Sequence, residues 1–301
     1  MAILEIQTST GLGYNFCMQI LLNIIAVIFR IFSNSFSNVF QKKLANAGEQ
    51  PASVNCINYI LMCLFSVPLL LLVDFSCFTT EFFLFAIAGG ITGTIANCFM
   101  VYALKNGELS VLGPINSYKA IVGMLFGMLI LHEFPNIYGF LGIALIVLGS
   151  YFILESPKAL LRKDIQYRIY ALAFSAIEAV FIKKVILLSS ITTSFIMSSF
   201  LGAIFSLVIV KYLSKEKLSL PKKQNSIKYV LTAICFGIMT FSTAYVFKYM
   251  NVGYALSLFQ LSIVVNVLLG YKLFNETKLL KKLLGSLIIL AGSVAILIFG
   301  H

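Results

Sequence analysis

The stretch "VLGPINSYKAIVGMLFGMLILHE" (residues 111–133) has the composition of an apolar helix with a lysine near its middle. A bilayer core of about 30 Å is crossed by roughly 20 apolar residues in a helix, and this stretch is long enough. Lys119 has no acidic or basic residue nearer along the chain than Glu108 on one side and His132 on the other. An ammonium at such a depth is costly unless it faces protein or water, so its surroundings decide its role.

The composition is that of a membrane protein. Of 301 residues, 60% are hydrophobic and 11% are charged, whereas soluble chains carry about 25% charged residues. The first 16 residues contain no Lys or Arg, which argues against a signal peptide. Six cysteines without CxxC spacing and two histidines suggest no metal site, and we expect no cofactor. The net charge of +11 lies mostly in loops, where anionic lipid rather than nucleic acid is the expected partner.

Ten apolar segments are long enough to cross a bilayer, and most connections between them are short. The fold class predicted is therefore an all-α integral membrane protein with ten transmembrane helices that alternate in direction. The predicted spans are approximately 18–41, 52–73, 82–104, 110–131, 136–154, 168–188, 193–212, 228–248, 252–273 and 279–299.

The two halves of the chain resemble each other. At an offset of 143 residues Lys105 aligns with Lys248 and Glu133 with Glu276. "FQKKL" (40–44) also answers "FIKKV" (181–185), at an offset of 141. Five helices per repeat is an odd number, so the second repeat is predicted to enter the membrane inverted. Inverted repeats are typical of alternating-access transporters with a substrate site near the midplane. The same register aligns Gly127 with Gly270, Gly142 with Gly285 and Gly149 with Gly292.

Two longer segments carry a family resemblance. "GPINSYKAIVGMLFGMLILHEFPNIYGFLGIALIVLGSYFIL" (113–154) and "MNVGYALSLFQLSIVVNVLLGYKLFNETKLLKKLLGSLIILAGSVAILIF" (250–299) are similar to the ends of EamA-type repeats of the drug/metabolite transporter superfamily. The resemblance implies two five-helix repeats, residues 1–156 and 157–301, in a transporter of small organic solutes. The superfamily handles amino acids, sugars, nucleotides and drugs, so its name selects no substrate.

The loop charges predict an orientation. Seventeen of the 22 Lys and Arg residues lie in the loops of one face, against Lys183, Lys184 and Lys248 on the other. Basic loops face the cytoplasm, so we expect a multi-pass protein of the cell (inner) membrane with both termini outside. The resemblance implies the opposite, because termini in this superfamily commonly face the cytoplasm.

Three ionisable residues fall near the middle of predicted spans: Arg30, Lys119 and Glu178. Lys119 either binds an anionic group of the substrate or pairs with Glu178 as scaffolding between the repeats, and the sequence leaves both open. Glu178 is either a proton carrier or a permanent counter-ion. Arg30 is weaker evidence for a site, because a shift in register would let it snorkel to the membrane surface.

Polar residues on the spans around these charges predict the rest of a solute cavity. A single amide in a membrane helix is more often an interhelical hydrogen bond, but their concentration on six spans favours a polar cavity. The Tyr245 ring could stack on a ligand. Besides Lys119 and Glu178, the predicted substrate-binding residues are Asn34, Asn38, Asn97, Asn116, Thr240, Gln260 and Tyr245.

Glycines and two glutamates have structural interpretations. Gly142 and Gly149, like Gly285 and Gly292 on the last span, form faces that let helix backbones approach closely. Gly89 with Gly93 and Gly123 with Gly127 form GxxxG on spans 3 and 4. Glu133 and Glu276 precede helices and are predicted to cap the helix that follows each of them.

These patterns together predict a secondary transporter that moves a small polar solute, bearing an anionic group, by alternating access. No cluster of acids, His or Cys at a membrane face supports an enzyme. The alternative is a flippase for a lipid or polyprenyl-linked precursor, which predicts an apolar groove beside Lys119 instead of an enclosed polar pocket. Proton coupling and a homodimer are options that the sequence leaves open.

Overall fold

The structure is a computed structural model that describes residues 2–73, 77–116, 118–119, 122, 128–129, 136–153, 161–214 and 218–299. These ranges contain helices and loops and no strand. A 3-10 segment, Val67–Leu72, continues the second helix, and a π-helical turn, Ile209–Leu213, continues the seventh. The α-helices are α1 (Ala2–Asn46), α2 (Pro51–Ser66), α3 (Thr80–Asn106), α4 (Leu109–Ile115), α5 (Ile137–Ile153), α6 (Lys163–Leu188), α7 (Ile191–Val208), α8 (Ser226–Tyr249), α9 (Val252–Phe259), α10 (Ser262–Phe274) and α11 (Leu279–Phe299).

Six helical segments of the described chain are long and apolar enough to cross a membrane. Large apolar side chains cover the outer surface, and Leu71, Leu84 and Phe200 are 92%, 62% and 52% exposed. Lipid is the solvent in which such a surface is stable. Most of predicted span 4 lies outside the described residues, so ten spans remain a prediction. The six segments are Met18–Asn46, Pro51–Leu72, Thr80–Asn106, Ile191–Tyr212, Lys223–Tyr249 and Val252–Phe274.

The most extensive helix contacts join one half of the chain to the other. α3 packs along α6, and α1 packs along α8. These two pairs are exchanged when the two sequence repeats are exchanged. α5 packs along α11, α2 along α7 and α4 along α10, and in each of these pairs the partners are repeat counterparts. The core is therefore an interface between the halves.

Glycines set the closest of these contacts, at the positions that the sequence predicts. A Cβ atom added at Gly149 would lie 2.7 Å from the carbonyl oxygen of Gly285, and one at Gly292 would lie 2.6 Å from that of Gly142. Such distances leave no room for a side chain, so α5 and α11 approach backbone to backbone. The predicted close approach of these two helices is confirmed. The pair Gly89 and Gly93 likewise faces α6, whereas Gly123 and Gly127 lie outside the described residues.

Loops of the predicted basic face meet at one end of the bundle. The Lys42 ammonium, at the end of α1, donates to the Gly107 carbonyl and to the Glu276 carboxylate, both at 2.8 Å. The Glu49 carboxylate, after α1, accepts from the Asn225 amide at 2.7 Å, just before α8. The loops after α1, α3 and α10 and the loop before α8 therefore share one end.

The other end repeats part of this arrangement. Lys183, the repeat counterpart of Lys42, donates to the Met250 carbonyl at 2.8 Å. Met250 is in turn the counterpart of Gly107 at the offset of 143 residues. The two repeats thus place equivalent lysine contacts at opposite ends of the molecule.

Candidate functional site

A cavity of about 140 Å³ lies between the two halves. Its wall is built mainly from α1, α3, α6 and α8, the four helices whose pairing joins the repeats. Seven of the nine predicted site residues line this cavity: Asn34, Asn38, Asn97, Asn116, Lys119, Glu178 and Thr240.

The other two predicted site residues lie apart from the lining of this cavity. Gln260 is buried in the turn between α9 and α10, where its Nε2 donates to the Leu256 carbonyl at 2.8 Å. The Tyr245 hydroxyl accepts from Gln19 Nε2 at 3.2 Å, and its ring contacts the Tyr249 ring with centroids 5.2 Å apart. A substrate role for either residue stays a prediction.

Four charged side chains line the cavity: Arg30, Lys119, Arg168 and Glu178. Glu178 is close enough to Lys119 and Arg30 for their charges to interact. The ion pairs of the described chain nevertheless do not include these residues. The direct Lys119–Glu178 salt bridge of the scaffolding interpretation is therefore absent from the described chain.

Gly93 gives Glu178 its place. A Cβ atom at Gly93 would overlap the Glu178 carboxylate, so the glycine lets α6 bring this carboxylate against α3. The GxxxG pair on α3 thus does two things. It sets the helix approach, and it makes space for an acid at the cavity wall.

Arg30 is buried instead of reaching the membrane surface. Its residue is 9% exposed, and its Nε and Nη1 atoms are buried without a hydrogen-bond partner. The guanidinium carbon lies 4.7 Å from the centroid of the Phe259 ring, at the end of α9. Such a cation–π contact holds the group in place but satisfies none of its N–H donors. Snorkelling, one option that the sequence left open, does not occur.

Arg168 corrects the prediction that counted it among the loop charges. It lies in α6, is 7% exposed and lines the cavity. Its Nε donates to the Leu112 carbonyl at 2.9 Å, and Nη1 lies 2.8 Å from the Met100 sulfur. The helix begins at Lys163, five residues before the predicted span, because polar residues at its start are covered by neighbouring loops rather than exposed to lipid.

A chain of amides runs from α2 to α1. Asn55 Nδ2 donates to the Thr94 carbonyl at 3.5 Å, Asn97 Nδ2 to Asn55 Oδ1 at 2.7 Å, and Gln41 Nε2 to Asn97 Oδ1 at 3.3 Å. A backbone carbonyl can only accept, so the first link fixes the direction of every other link. Gln41 Oε1 is left at the end of the chain as a buried acceptor without a partner. Gln41 lines the cavity and was not among the predicted site residues.

Predicted span 9 is two helices rather than one. α9 ends at Phe259 and α10 begins at Ser262, and the N–H groups of Gln260 and Leu261 each bond a carbonyl three residues back. α4 likewise ends before Asn116, whose N–H bonds the carbonyl three residues back. Asn116 aligns with Phe259 at the repeat offset of 143. Interrupted helices at the repeat interface are a feature of substrate sites in transporters.

Glu276 caps a helix, but not the one that was predicted. Its carboxylate accepts from the backbone N–H groups of Leu109 at 2.7 Å and Ser110 at 2.8 Å, at the start of α4, instead of capping α11. Burial alone would raise the pKa of the Glu276 carboxyl, but the Lys42 ammonium and the Ser110 groups hold this pKa below its ordinary value. The other predicted cap, Glu133, lies outside the described residues.

The comparisons with known proteins agree with this architecture. The model of the EamA-like transporter family matches residues 21–155 and 165–298, and the chain belongs to this family. A solved structure described as "Crystal structure of protein" aligns over 94% of this chain and 98% of its own, with a TM-score of 0.69 and 13% identity. No curated protein matches the sequence. The chain is therefore a multi-pass membrane protein of a family that transports small solutes.

Proposed function

We propose that this protein is an alternating-access carrier of a small polar organic solute that bears an anionic group. In this proposal ten helices form two inverted five-helix repeats, residues 1–156 and 157–301, with the solute bound between them. The observation that carries the proposal is the cavity between the halves, lined by three cations, one carboxylate and several amides. An unpaired buried charge is costly, so a charged solute is a natural partner for it.

Lys119 is assigned the contact to the anionic group. It follows the end of α4 by a few residues, lines the cavity and interacts electrostatically with Glu178, Arg30 and Arg168. Asn116, Asn34 and Asn38 would orient the polar part of the solute. Their amides have both a donor and an acceptor to offer.

Glu178 is assigned the second charged role. It acts either as a counter-ion for Lys119 or as the carrier of a coupling proton. A carboxylate at a dry protein interface, close to two cations but bonded to neither, is suited to both tasks. Proton-driven uptake would distinguish them, because only a proton carrier makes transport depend on the pH gradient.

A binding and uptake experiment tests the carrier proposal. Purified wild type and Lys119→Ala would be heated in detergent with amino acids, organic acids, nucleotides, sugars, amines and lipid precursors. A ligand that binds the folded state raises the melting temperature. We expect a soluble anion to stabilise wild type and the control Lys272→Ala, which removes an exposed lysine, but not Lys119→Ala.

Uptake into proteoliposomes completes this test. The stabilising solute should accumulate with wild type and exchange against the same solute inside. Equal stabilisation of Lys119→Ala would remove Lys119 from the site. Stabilisation by lipid precursors alone, without uptake of any soluble solute, would contradict the carrier proposal.

A further inference from the structure

We propose that the solute carries its anionic group at one end and hydroxyl or ammonium donors at the other. The anion binds Arg30, and the donors bind the side-chain oxygens of Gln41 and Asn266. This inference rests on the carrier function proposed above and names the chemical class of its substrate. The three side chains line the same cavity, and none of them was among the predicted site residues.

The anion end is defined by Arg30. No acceptor within the described chain bonds its guanidinium, although the residue is 9% exposed. Its cation–π contact with Phe259 places it where α9 ends, next to the start of α10 at Ser262. The first N–H groups of a helix favour an anion, so α10 adds to the attraction of the guanidinium. Lys119 lies close enough to Arg30 for their charges to interact, and both cations favour the same anion.

The donor end is defined by two buried acceptors. The amide chain that starts at the Thr94 carbonyl leaves Gln41 Oε1 free, so this atom can only accept. Asn266 Oδ1 is buried without a partner as well, and the residue is 3% exposed. Two unpartnered acceptors require N–H or O–H donors, which a hydrocarbon tail does not have.

The spacing sets the two ends apart. Arg30, Asn34, Ser37 and Gln41 follow one another at intervals of four, three and four residues, so they share one face of α1. Eleven residues separate Arg30 from Gln41, which corresponds to about 16 Å of helix rise. The Ser37 hydroxyl between them is buried and has no partner for its oxygen. The solute is therefore expected to lie along α1.

Such a set of unpartnered groups is unfavourable in an empty protein. A buried donor or acceptor without a partner costs free energy, and a buried charge costs more. Arg168 shows the contrast within the same cavity, because its guanidinium donates to the Leu112 carbonyl. Arg168 is bonded as part of the scaffold, whereas Arg30 is left for a ligand.

The ligand test uses four six-carbon probes and wild-type protein in detergent. Gluconate has an anion and hydroxyl donors, and 6-aminohexanoate has an anion and an ammonium donor. Hexanoate has the anion alone, and glucitol has hydroxyls alone. We expect gluconate or 6-aminohexanoate to raise the melting temperature and the other two to leave it unchanged. Which of the two stabilises identifies the donor as hydroxyl or ammonium.

A test without ligand separates a binding role from a structural one. We expect Arg30→Gln to melt at or above the wild-type temperature, because it removes an unsatisfied buried charge, and to lose the rise caused by the stabilising probe. The matched control Arg168→Gln is expected to melt below wild type, because it breaks a bonded guanidinium.

Several results would overturn this inference. They are a lower melting temperature for Arg30→Gln without ligand, an equal rise with hexanoate, a rise with glucitol alone, or no rise with any probe. Uptake of a solute outside this class by wild-type proteoliposomes would also overturn it, yet would leave the carrier function standing. Failure of the proteoliposomes to take up any metabolite would count against the carrier function itself.

Discussion

Glu276 joins three parts of the chain at one end of the bundle. It is 7% exposed, pairs with Lys42 at 2.8 Å and caps α4 through the Leu109 and Ser110 N–H groups. Its pKa is lower in the folded protein than in the unfolded chain. The stabilisation is therefore fully present above the ordinary Glu pKa and is lost as the pH falls through the folded pKa.

Replacing this acid should reveal the contribution. Glu276→Gln leaves the Lys42 ammonium buried without its partner, and we expect a loss of about 3 kcal/mol of unfolding free energy at pH 7. The difference from wild type should narrow as the pH falls below about 4.3, the ordinary Glu value. Thermal unfolding in detergent at several pH values measures both effects.

The control for this substitution is Glu108→Gln. Glu108 also pairs with a lysine, Lys282, at 2.7 Å, but its side chain is 43% exposed. A half-exposed pair contributes at most about 1 kcal/mol, so the control should melt near wild type. A Glu276→Gln protein that melts with the control at every pH would contradict the role given to Glu276.

At this scale the sequence predicted the intramembrane charges but not all of the cavity. Lys119 and Glu178 were found because a charge in an apolar run is visible without any structure. Arg168 was missed because its distance from the helix end made it look like a loop residue. The free acceptor of Gln41 was invisible as well, because it exists only through the tertiary contact with Asn97.

At the scale of elements, α5 and α11 depend on glycine contacts. Gly149→Ala would push a Cβ atom against the Gly285 carbonyl, and we expect a loss of about 1–3 kcal/mol of unfolding free energy. Gly237→Ala in α8 is the control, because its Cβ would meet its nearest atoms at 3.8 Å and 3.9 Å. Alanine is the better helix former, so this control should be neutral or gain up to about 1 kcal/mol.

Denaturation of both variants in mixed micelles, followed by circular dichroism, measures these changes. Equal stability of the two variants would contradict a tight α5–α11 contact. The glycine positions were predictable from the sequence, since both repeats carry them in the same register. The interruption at Gln260 was not, because the run "YALSLFQLSIVV" (254–265) has neither proline nor glycine to mark it.

At the scale of the whole molecule, the shared end of the loops predicts an orientation. Lys223 and Asn251 are both exposed, and they lie on opposite sides of α8. In a cysteine-free background, Asn251→Cys should react with a membrane-impermeant maleimide on intact cells. Lys223→Cys should react only after the membrane is opened, because basic loops stay in the cytoplasm.

The reverse labelling pattern would show that the positive loops face outward. The sequence could predict that these loops share a face, because the number of helices between them fixes it. It could not predict which helices pair across the halves. That pairing depends on which faces fit together, and the glycines and amides that determine the fit act only in three dimensions.

The pairing of α1 with α8 also has a consequence for how the protein is made. Residues 47–225 separate the end of α1 from the start of α8. At about 5–20 residues per second, a ribosome needs roughly 10–40 s to synthesise them. Throughout that interval Arg30, Asn34 and Asn38 lack the helix that will cover them. A nascent chain of this protein must therefore rely on the insertion machinery to shelter its first helix until the second half arrives.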